Sequence, residues 1–150
     1  MDWQAILAAG VKPDAAHVGI RSPAAEWLTL PALDSYGDNW VEAHWDIDPR
    51  SLNSRGTIFG GYYGVLADGL LALATMTQLQ DDEHFVTNDL RLSFFRTASE
   101  GRVTMRADVT NRSRTLMHVE GEFRDESGAL LAKAVAVQSI RPIAASSGGA

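Results

Sequence analysis

A single carboxylate lies within a long uncharged stretch near the middle of the chain. Between Tyr62 and Gln80, Asp68 is the only charged residue, and leucine, valine and alanine surround it. This composition predicts a long helix that is buried in the core. A buried carboxylate is costly unless it is hydrogen-bonded or takes part in chemistry, so Asp68 is a candidate catalytic residue. The alternative is an acid that serves the architecture alone, through hydrogen bonds to loop amides.

Two glycines, Gly60 and Gly61, come directly before this stretch. Their backbone N–H groups would lie at the start of the helix. There they have no hydrogen-bond partner within the helix and lie at the positive end of its dipole. Such groups can stabilise the oxyanion that forms when an acyl carbonyl is attacked. Without side chains, the glycines also let a ligand approach the backbone closely. Asp68, about two turns further on, could activate water or attack the carbonyl itself. The glycines could equally serve only close packing of the helix against a sheet.

The composition bounds the classes of protein to which the chain can belong. Its 150 residues, 45% hydrophobic and 21% charged, are typical of one globular domain with its own core. A net charge of -6 argues against a general nucleic-acid binder. The absence of cysteine excludes a disulfide framework, a thiolate metal site and a cysteine nucleophile. No metal site is expected, because none of the histidines has metal-ligand spacing: His17, His44, His84 and His118.

The N-terminus does not match a secretion signal. Asp2 lies where a signal peptide requires a basic region, and the apolar part that follows is short. A cytoplasmic location is therefore expected. The uncharged central stretch approaches the length of a membrane span, but Asp68, Thr75 and Thr77 inside it favour a helix in the protein core.

Alternating side chains predict strands on both sides of the central helix. Residues 40–47 show the period of two that is typical of a strand. Four further alternating segments follow the helix, at residues 84–96, 102–111, 115–124 and 129–141. Their short, turn-like connections predict that these last four strands form an antiparallel meander. One strand, a long helix and four strands together predict an α+β fold, in which a curled antiparallel sheet wraps around one helix.

The chain divides into three predicted parts. Residues 1–39 carry a short alanine-rich helix candidate and three prolines, which predict a helix followed by an irregular wrapping segment. Residues 40–142 form the predicted sheet-and-helix domain. Residues 143–150 are expected to form a flexible tail.

The element order and one motif resemble a known family. The motif runs from Asn53 through six intervening residues to Gly60-Gly61, and through six more to Asp68. It resembles the motif of the hot-dog thioesterases of the phenylacetic-acid-degradation (PaaI-like) type. The resemblance covers residues 40–142. Within it, residues 86–98 look like the second strand of that family, and residues 120–128 look like its fourth-strand hairpin.

The resemblance implies an acyl-CoA thioesterase without a cofactor, since coenzyme A is part of the substrate. It implies that Asp68 is the general base or nucleophile and that the Gly61 amide binds the carbonyl oxygen. It also implies that Asn53 positions water and that Thr87 assists from the partner subunit. Asn53 could instead be only a turn residue, and Thr87 only a strand former. The family forms homodimers whose sheets join edge to edge, with each site built from both subunits, and often dimers of dimers.

One residue departs from the family pattern. The family usually has histidine immediately before the two glycines, where this chain has Phe59. This replacement could slow hydrolysis, shift the substrate range, or mark a relative that binds acyl-CoA or another hydrophobic ligand without cutting it. A dimeric scaffold with no pocket is a third possibility. Phe59 itself is expected in the core or in the wall of a pocket.

Further aromatic and basic residues are candidates for binding the substrate. Tyr62 and Tyr63 at the start of the helix could line an acyl pocket or simply pack against their neighbours. Arg91 is a basic residue on the first strand after the helix. Arg112 and Arg114 flank a predicted turn, where they could meet the phosphates of coenzyme A, although a solvated hairpin explains such charges too. Of the two we expect Arg114 to bind phosphate.

Overall fold

One long helix lies against a six-stranded antiparallel sheet in a computed structural model of the chain, which describes residues 1–10 and 23–144. The helices are α1 (Trp3–Gly10), α2 (Pro23–Trp27) and α3 (Gly60–Met76), and a 3₁₀ turn spans Pro49–Ser51. The strands are β1 (Ser35–Tyr36), β2 (Trp40–Asp46), β3 (Glu83–Phe94), β4 (Arg102–Arg112), β5 (Leu116–Arg124) and β6 (Leu130–Pro142). The predicted α+β class is confirmed. Within these ranges, no helix has the length and apolar character needed to cross a bilayer.

The strand order is β1-β2-β4-β5-β6-β3. The predicted meander is confirmed for β4, β5 and β6, but it is wrong for β3, which pairs with β6 and not with β4. Residues 95–101 carry the chain from β3 to the other side of the sheet, and Ile58 N–H donates to the Ala98 carbonyl on the way. Turn residues predict a reversal of direction but not which strand a segment joins. As a result, β3 forms an edge of the sheet.

The core lies between α3 and the inner face of the sheet. The predicted inward residues of β4 and β5 are confirmed as buried, among them Met105, Met117 and Phe123. Gly121 suits this packing, because a Cβ there would lie 2.8 Å from Leu71 Cδ1, and the Leu71 side chain would have to shift. The helix contributes its large side chains to the same cluster: Tyr63, Leu66, Leu70, Leu71 and Met76.

Helix α1 is also part of the core. Trp3 is 4% exposed and Leu7 is fully buried. The Trp3 indole Nε1 donates to the carbonyl oxygens of Gln80 and Glu83, at 3.1 and 3.0 Å, which fixes α1 beside the start of β3. The first residues of the chain therefore stabilise the fold, beyond the wrapping role predicted for residues 1–39. His17 and the tail at residues 145–150 lie outside the described residues.

Candidate active site

A tight turn leads into α3. Leu52 and Ile58 form an isolated antiparallel bridge, and Gly56 takes the positive φ of 75° that the turn needs. The Asn53 side chain holds this turn: its Oδ1 accepts from the backbone N–H groups of Arg55 and Thr57, at 2.9 and 3.3 Å. Its Nδ2 donates to the Thr57 hydroxyl at 3.0 Å. All hydrogen bonds described for Asn53 lie within the turn, so the structure supports the turn role, and its catalytic role stays a prediction.

The first turn of α3 presents free backbone donors. Phe59 is the N-cap residue and its side chain makes no capping hydrogen bond. The N–H groups of Gly60 and Gly61 donate no hydrogen bond within the described part of the chain, and Gly61 is exposed. A Cβ on Gly61 would lie 2.6 Å from the Phe59 ring, so only glycine fits while that ring holds its place. These two amides can donate hydrogen bonds to an anionic oxygen at the positive end of the helix dipole.

Asp68 lies on the exposed stripe of α3. The prediction that this carboxylate is buried is wrong for the single chain, in which Asp68 is exposed while its neighbour Ala67 is fully buried. Gly61 is exposed on the same side of the helix, since residues seven apart are two turns apart. Glycine, valine and alanine occupy the rest of this stripe, and their apolar character hid the accessible face from sequence reasoning.

Thr87 on β3 is the side chain that meets Asp68. Its hydroxyl Oγ1 lies 3.4 Å from Asp68 Oδ1, a long hydrogen bond with the hydroxyl as donor. The resemblance implied that Thr87 is supplied by the partner subunit, whereas the structure brings Thr87 of the same chain to Asp68. Strand β3 is an edge strand that runs beside α3, which places Thr87 next to the helix of its own chain.

The two tyrosines pack into the protein in different ways. The Tyr62 hydroxyl donates to the Leu28 carbonyl at 2.8 Å, and its ring stacks on Trp45 at 5.3 Å between centroids. Burial raises the pKa of Tyr62. Tyr63 is 3% exposed, and its hydroxyl has no hydrogen-bond partner in the described residues. Burial raises the pKa of Tyr63 to about 12, so the hydroxyl stays neutral.

Exposed aromatic rings surround the start of α3. Phe59 is 58% exposed, so the expectation that it lies in the core is wrong, while a place in a pocket wall stays a prediction. Sequence reasoning missed Phe94, which is 55% exposed. Its ring lies 5.9 Å from that of Tyr63 and would contact a Cβ on Gly60 at 3.4 Å. The even-numbered alternation of Leu90, Leu92 and Phe94 was the signal that could have placed it on the helix side of β3.

The structure separates the three candidate arginines. The Arg112 guanidinium is paired with Glu83 at 2.7 Å. Arg91 is paired with Asp89 at 3.1 Å, and its register partner Val135 places it on the outer face of the sheet, away from Asp68. Arg114 is exposed in the turn between β4 and β5 and forms no ion pair with another described residue. Among the three, Arg114 is the one without an ion-pair partner in the described residues, and its binding of phosphate stays a prediction.

The histidines within the described residues, His44, His84 and His118, form no metal site. His44 Nδ1 lies 2.6 Å from an Asp34 carboxylate oxygen at the surface. Across residues 1–10 and 23–144, no cluster of three or more histidine or acidic side chains could hold a metal ion.

Comparisons with known proteins identify the family and the fold of this chain. A family model described as the thioesterase superfamily matches residues 55–132. A Haemophilus influenzae protein provisionally named an esterase is 28% identical over 98 residues, which cover 65% of this chain and 71% of that protein. A solved thioesterase from the same organism has a TM-score of 0.77 at 24% identity, covering 85% of this chain and 88% of its own. A solved Ralstonia eutropha protein, provisionally named a thioesterase and related to phenylacetic acid degradation, has a TM-score of 0.74 at 25% identity, covering 91% and 98%. These likenesses confirm the predicted hot-dog fold.

Proposed function

Since this chain belongs to the thioesterase superfamily and is a thioester hydrolase, we propose that it cleaves acyl-CoA with a small, medium or aromatic acyl group. The observation that carries this proposal is that one exposed stripe of α3 presents both free amides and an accessible carboxylate, so a second copy facing it can bring its own set of the same groups opposite them. An oxyanion donor and a base or nucleophile are the two groups that thioester hydrolysis requires. Gly61 and Asp68 supply them.

The proposed reaction needs only residues of the protein and water. The Gly61 N–H donates to the thioester carbonyl oxygen and stabilises the negative charge that develops there. Asp68 either removes a proton from a water molecule, which attacks the acyl carbon, or attacks that carbon itself and forms a mixed anhydride, which water then hydrolyses to free the acid and the Asp68 carboxylate. The carbon–sulfur bond then breaks, and the coenzyme A sulfur leaves with a proton as the thiol. The Thr87 hydroxyl, at 3.4 Å, orients the Asp68 carboxylate.

The spacing along α3 supports a site that two chains share. Gly61 and Asp68 are seven residues apart in one helix, which is about 10 Å along its axis. One carbonyl group must lie within about 3 Å of the amide and within similar reach of the carboxylate or its water. These two groups of the same helix are too far apart for that. We therefore propose that Gly61 of one chain acts together with Asp68 of a second copy.

The free edge of β3 is where we propose that the second copy binds. This strand has 12 residues and, among the described strands, pairs with β6 alone, so its other edge presents backbone groups that no described strand pairs. Two apolar side chains of β3 are exposed in the single chain, Val86 at 49% and Phe94 at 55%. Pairing of β3 with β3 of a second copy would join the sheets edge to edge. The dimer of dimers and the cytoplasmic location stay predictions.

A panel of acyl-CoA substrates tests the proposed activity. Short, medium, long and aromatic acyl-CoAs are incubated with the purified protein, and free coenzyme A thiol is measured. The proposal expects turnover of at least one small, medium or aromatic substrate. Calorimetric binding without turnover across the panel would instead support the non-catalytic acyl-CoA-binding module, which Phe59 in place of histidine also suggests.

Subunit complementation tests the shared site. Gly61→Val blocks the amide with a side chain, and Asp68→Asn removes the base; each variant alone should be inactive. When the two variants are co-expressed with different tags and the mixed dimer is purified, one of its two sites keeps both native groups. The mixed dimer should recover about half of the native activity. A site contained in one chain would leave it inactive.

Isotope labelling separates the two roles open to Asp68. A single turnover in water enriched in oxygen-18 places the label in the acid product if Asp68 acts as a base. Label in the Asp68 carboxylate, read by mass spectrometry of its peptide, would instead show direct attack.

A further inference from the structure

Strand β3 contains a β-bulge at Asn88. Thr87 pairs with Gln138 of β6 and Asp89 pairs with Val137, so Asn88 is the extra residue that has no register partner. An extra residue reverses the alternation of side chains between the two parts of a strand. Bulges of this kind occur next to active sites, where they redirect a side chain.

The bulge determines the face on which Thr87 lies. After the bulge, Leu90 and Leu92 pair with the buried Ala136 and Ala134, so even-numbered residues of β3 face α3. Before the bulge, Thr87 pairs with the fully buried Gln138, so odd-numbered residues face α3. A strand without the extra residue would turn Thr87 to the outer face, away from Asp68.

One side-chain hydrogen bond on the outer face holds the bulge. The Asn88 amide Nδ2 donates to the Ser139 hydroxyl at 2.6 Å. Ser139 is the register partner of Val86, which is 49% exposed on the outer side of β3. Asn88 and Ser139 therefore lie on the opposite side of the sheet from Asp68, and neither can touch a substrate bound there.

We propose that Asn88 and Ser139 are positioning residues, whose hydrogen bond fixes the bulge and thereby presents the Thr87 hydroxyl to Asp68. This inference rests on the proposed function, in which Thr87 orients the catalytic carboxylate. It assigns a role in the reaction to two polar residues on the face of the sheet that the substrate does not reach.

A double-mutant cycle tests whether Asn88 affects the reaction through Thr87. Asn88→Ala should lower kcat about fivefold with KM nearly unchanged, because the effect passes through Thr87. In a Thr87→Ala background, Asn88→Ala should have no further effect. Asn88→Asp can accept a hydrogen bond from the Ser139 hydroxyl, so this variant should keep most of the activity that Asn88→Ala loses. Ser93→Ala, on the same outer face, is the control and should leave kcat unchanged. Equal losses from Asn88→Ala in both backgrounds would overturn the proposal.

A cross-linking measurement tests the geometry without any use of activity. Because the chain has no cysteine, the pair Asp68→Cys with Thr87→Cys can be oxidised selectively, and Asp68→Cys with Val86→Cys is the control from the outer face. The Thr87 pair should close faster than the Val86 pair, and adding Asn88→Ala should slow it several-fold. An unchanged rate after Asn88→Ala would refute the inference. If the native protein cleaves no acyl-CoA, the proposed function fails. The rate of disulfide formation between residues 68 and 87 then still tests whether Asn88 fixes the bulge.

Discussion

Arg112 Nη2 donates to both carboxylate oxygens of Glu83 at 2.7 Å and so joins the end of β4 to the start of β3. The two side chains are only 24% and 18% exposed. Glu83 also accepts from the Gln80 backbone N–H at 2.9 Å, which ties the pair to the chain after α3. Arg112 therefore stabilises the start of β3, and its charge is already engaged.

Arg112 and Arg114 are expected to respond differently to substitution. Arg112→Ala should lower the free energy of unfolding by about 2 kcal/mol, because it leaves the shielded Glu83 carboxylate without its partner. Arg114→Ala should change stability by less than about 0.5 kcal/mol and raise KM for acyl-CoA several-fold. Urea unfolding and steady-state kinetics measure the two effects. If Arg112→Ala instead raised KM at unchanged stability, and Arg114→Ala did not raise it, Arg112 would be the phosphate-binding residue of the two.

The adjacent tyrosines form a matched pair for stability. Tyr62→Phe removes the hydrogen bond to the Leu28 carbonyl and should cost about 1 kcal/mol in the free energy of unfolding. Tyr63→Phe removes a buried hydroxyl that has no described partner, so stability should stay the same or rise. Thermal unfolding of both variants checks this difference. Equal losses would mean that the Tyr63 hydroxyl is hydrogen-bonded in solution.

Gln138 is a fully buried amide on β6, and neither its Nε2 nor its Oε1 has a hydrogen-bond partner among the described residues. Gln138→Met keeps the length of the side chain and removes both polar atoms. We expect it to raise the free energy of unfolding by about 1 to 3 kcal/mol. The control is Thr75→Val, since the equally buried Thr75 hydroxyl donates to the Leu71 carbonyl at 2.8 Å and its removal should give no gain. Urea unfolding that shows a loss for Gln138→Met would indicate a partner, such as bound water.

Asp125 gives a prediction for pH. The Ser127 hydroxyl, 2.6 Å away, and the backbone N–H groups of Ala129 and Ser127 lower the pKa of Asp125 from its ordinary value of 3.8. A carboxyl with a lowered folded-state pKa stabilises the fold above its ordinary value, and this contribution is lost as pH falls through the lowered value. The difference in Tm between the native protein and Asp125→Ala should therefore be larger at pH 7 than at about pH 2.5. A difference that is independent of pH would mean that the turn depends on shape alone.

Local patterns predicted the elements, while long-range contacts decided how they pair. The alternation in β4 and β5 identified Met105 and Phe123 as inward residues, because period two depends only on the strand itself. The pairing of β3 with β6 was missed, since it depends on where residues 95–101 carry the chain. The bulge at Asn88 was missed too, because a single extra residue leaves both halves of the alternation intact.

For the candidate site, the motif singled out residues but not their environment. Gly61 and Asp68 could be chosen as candidates from their types and spacing, and their roles stay predictions. The exposure of Asp68 could not, because glycine, valine and alanine make the exposed stripe of α3 resemble a buried one. The engagement of Arg112 by Glu83 was equally hidden, since the two residues lie far apart in the sequence and meet only through the sheet.

The most direct test of the central claim is the effect of Asp68→Asn on kcat/KM for the best acyl-CoA substrate. The matched control is Asp89→Asn. It makes the same change, from a carboxylate to a neutral amide, at an exposed residue on the outer face of β3. Asp68→Asn should lower kcat/KM by about a thousandfold with Tm unchanged, whereas Asp89→Asn should stay within about twofold of the native protein. Retention of most of the activity by Asp68→Asn would contradict the proposal that this carboxylate drives thioester hydrolysis.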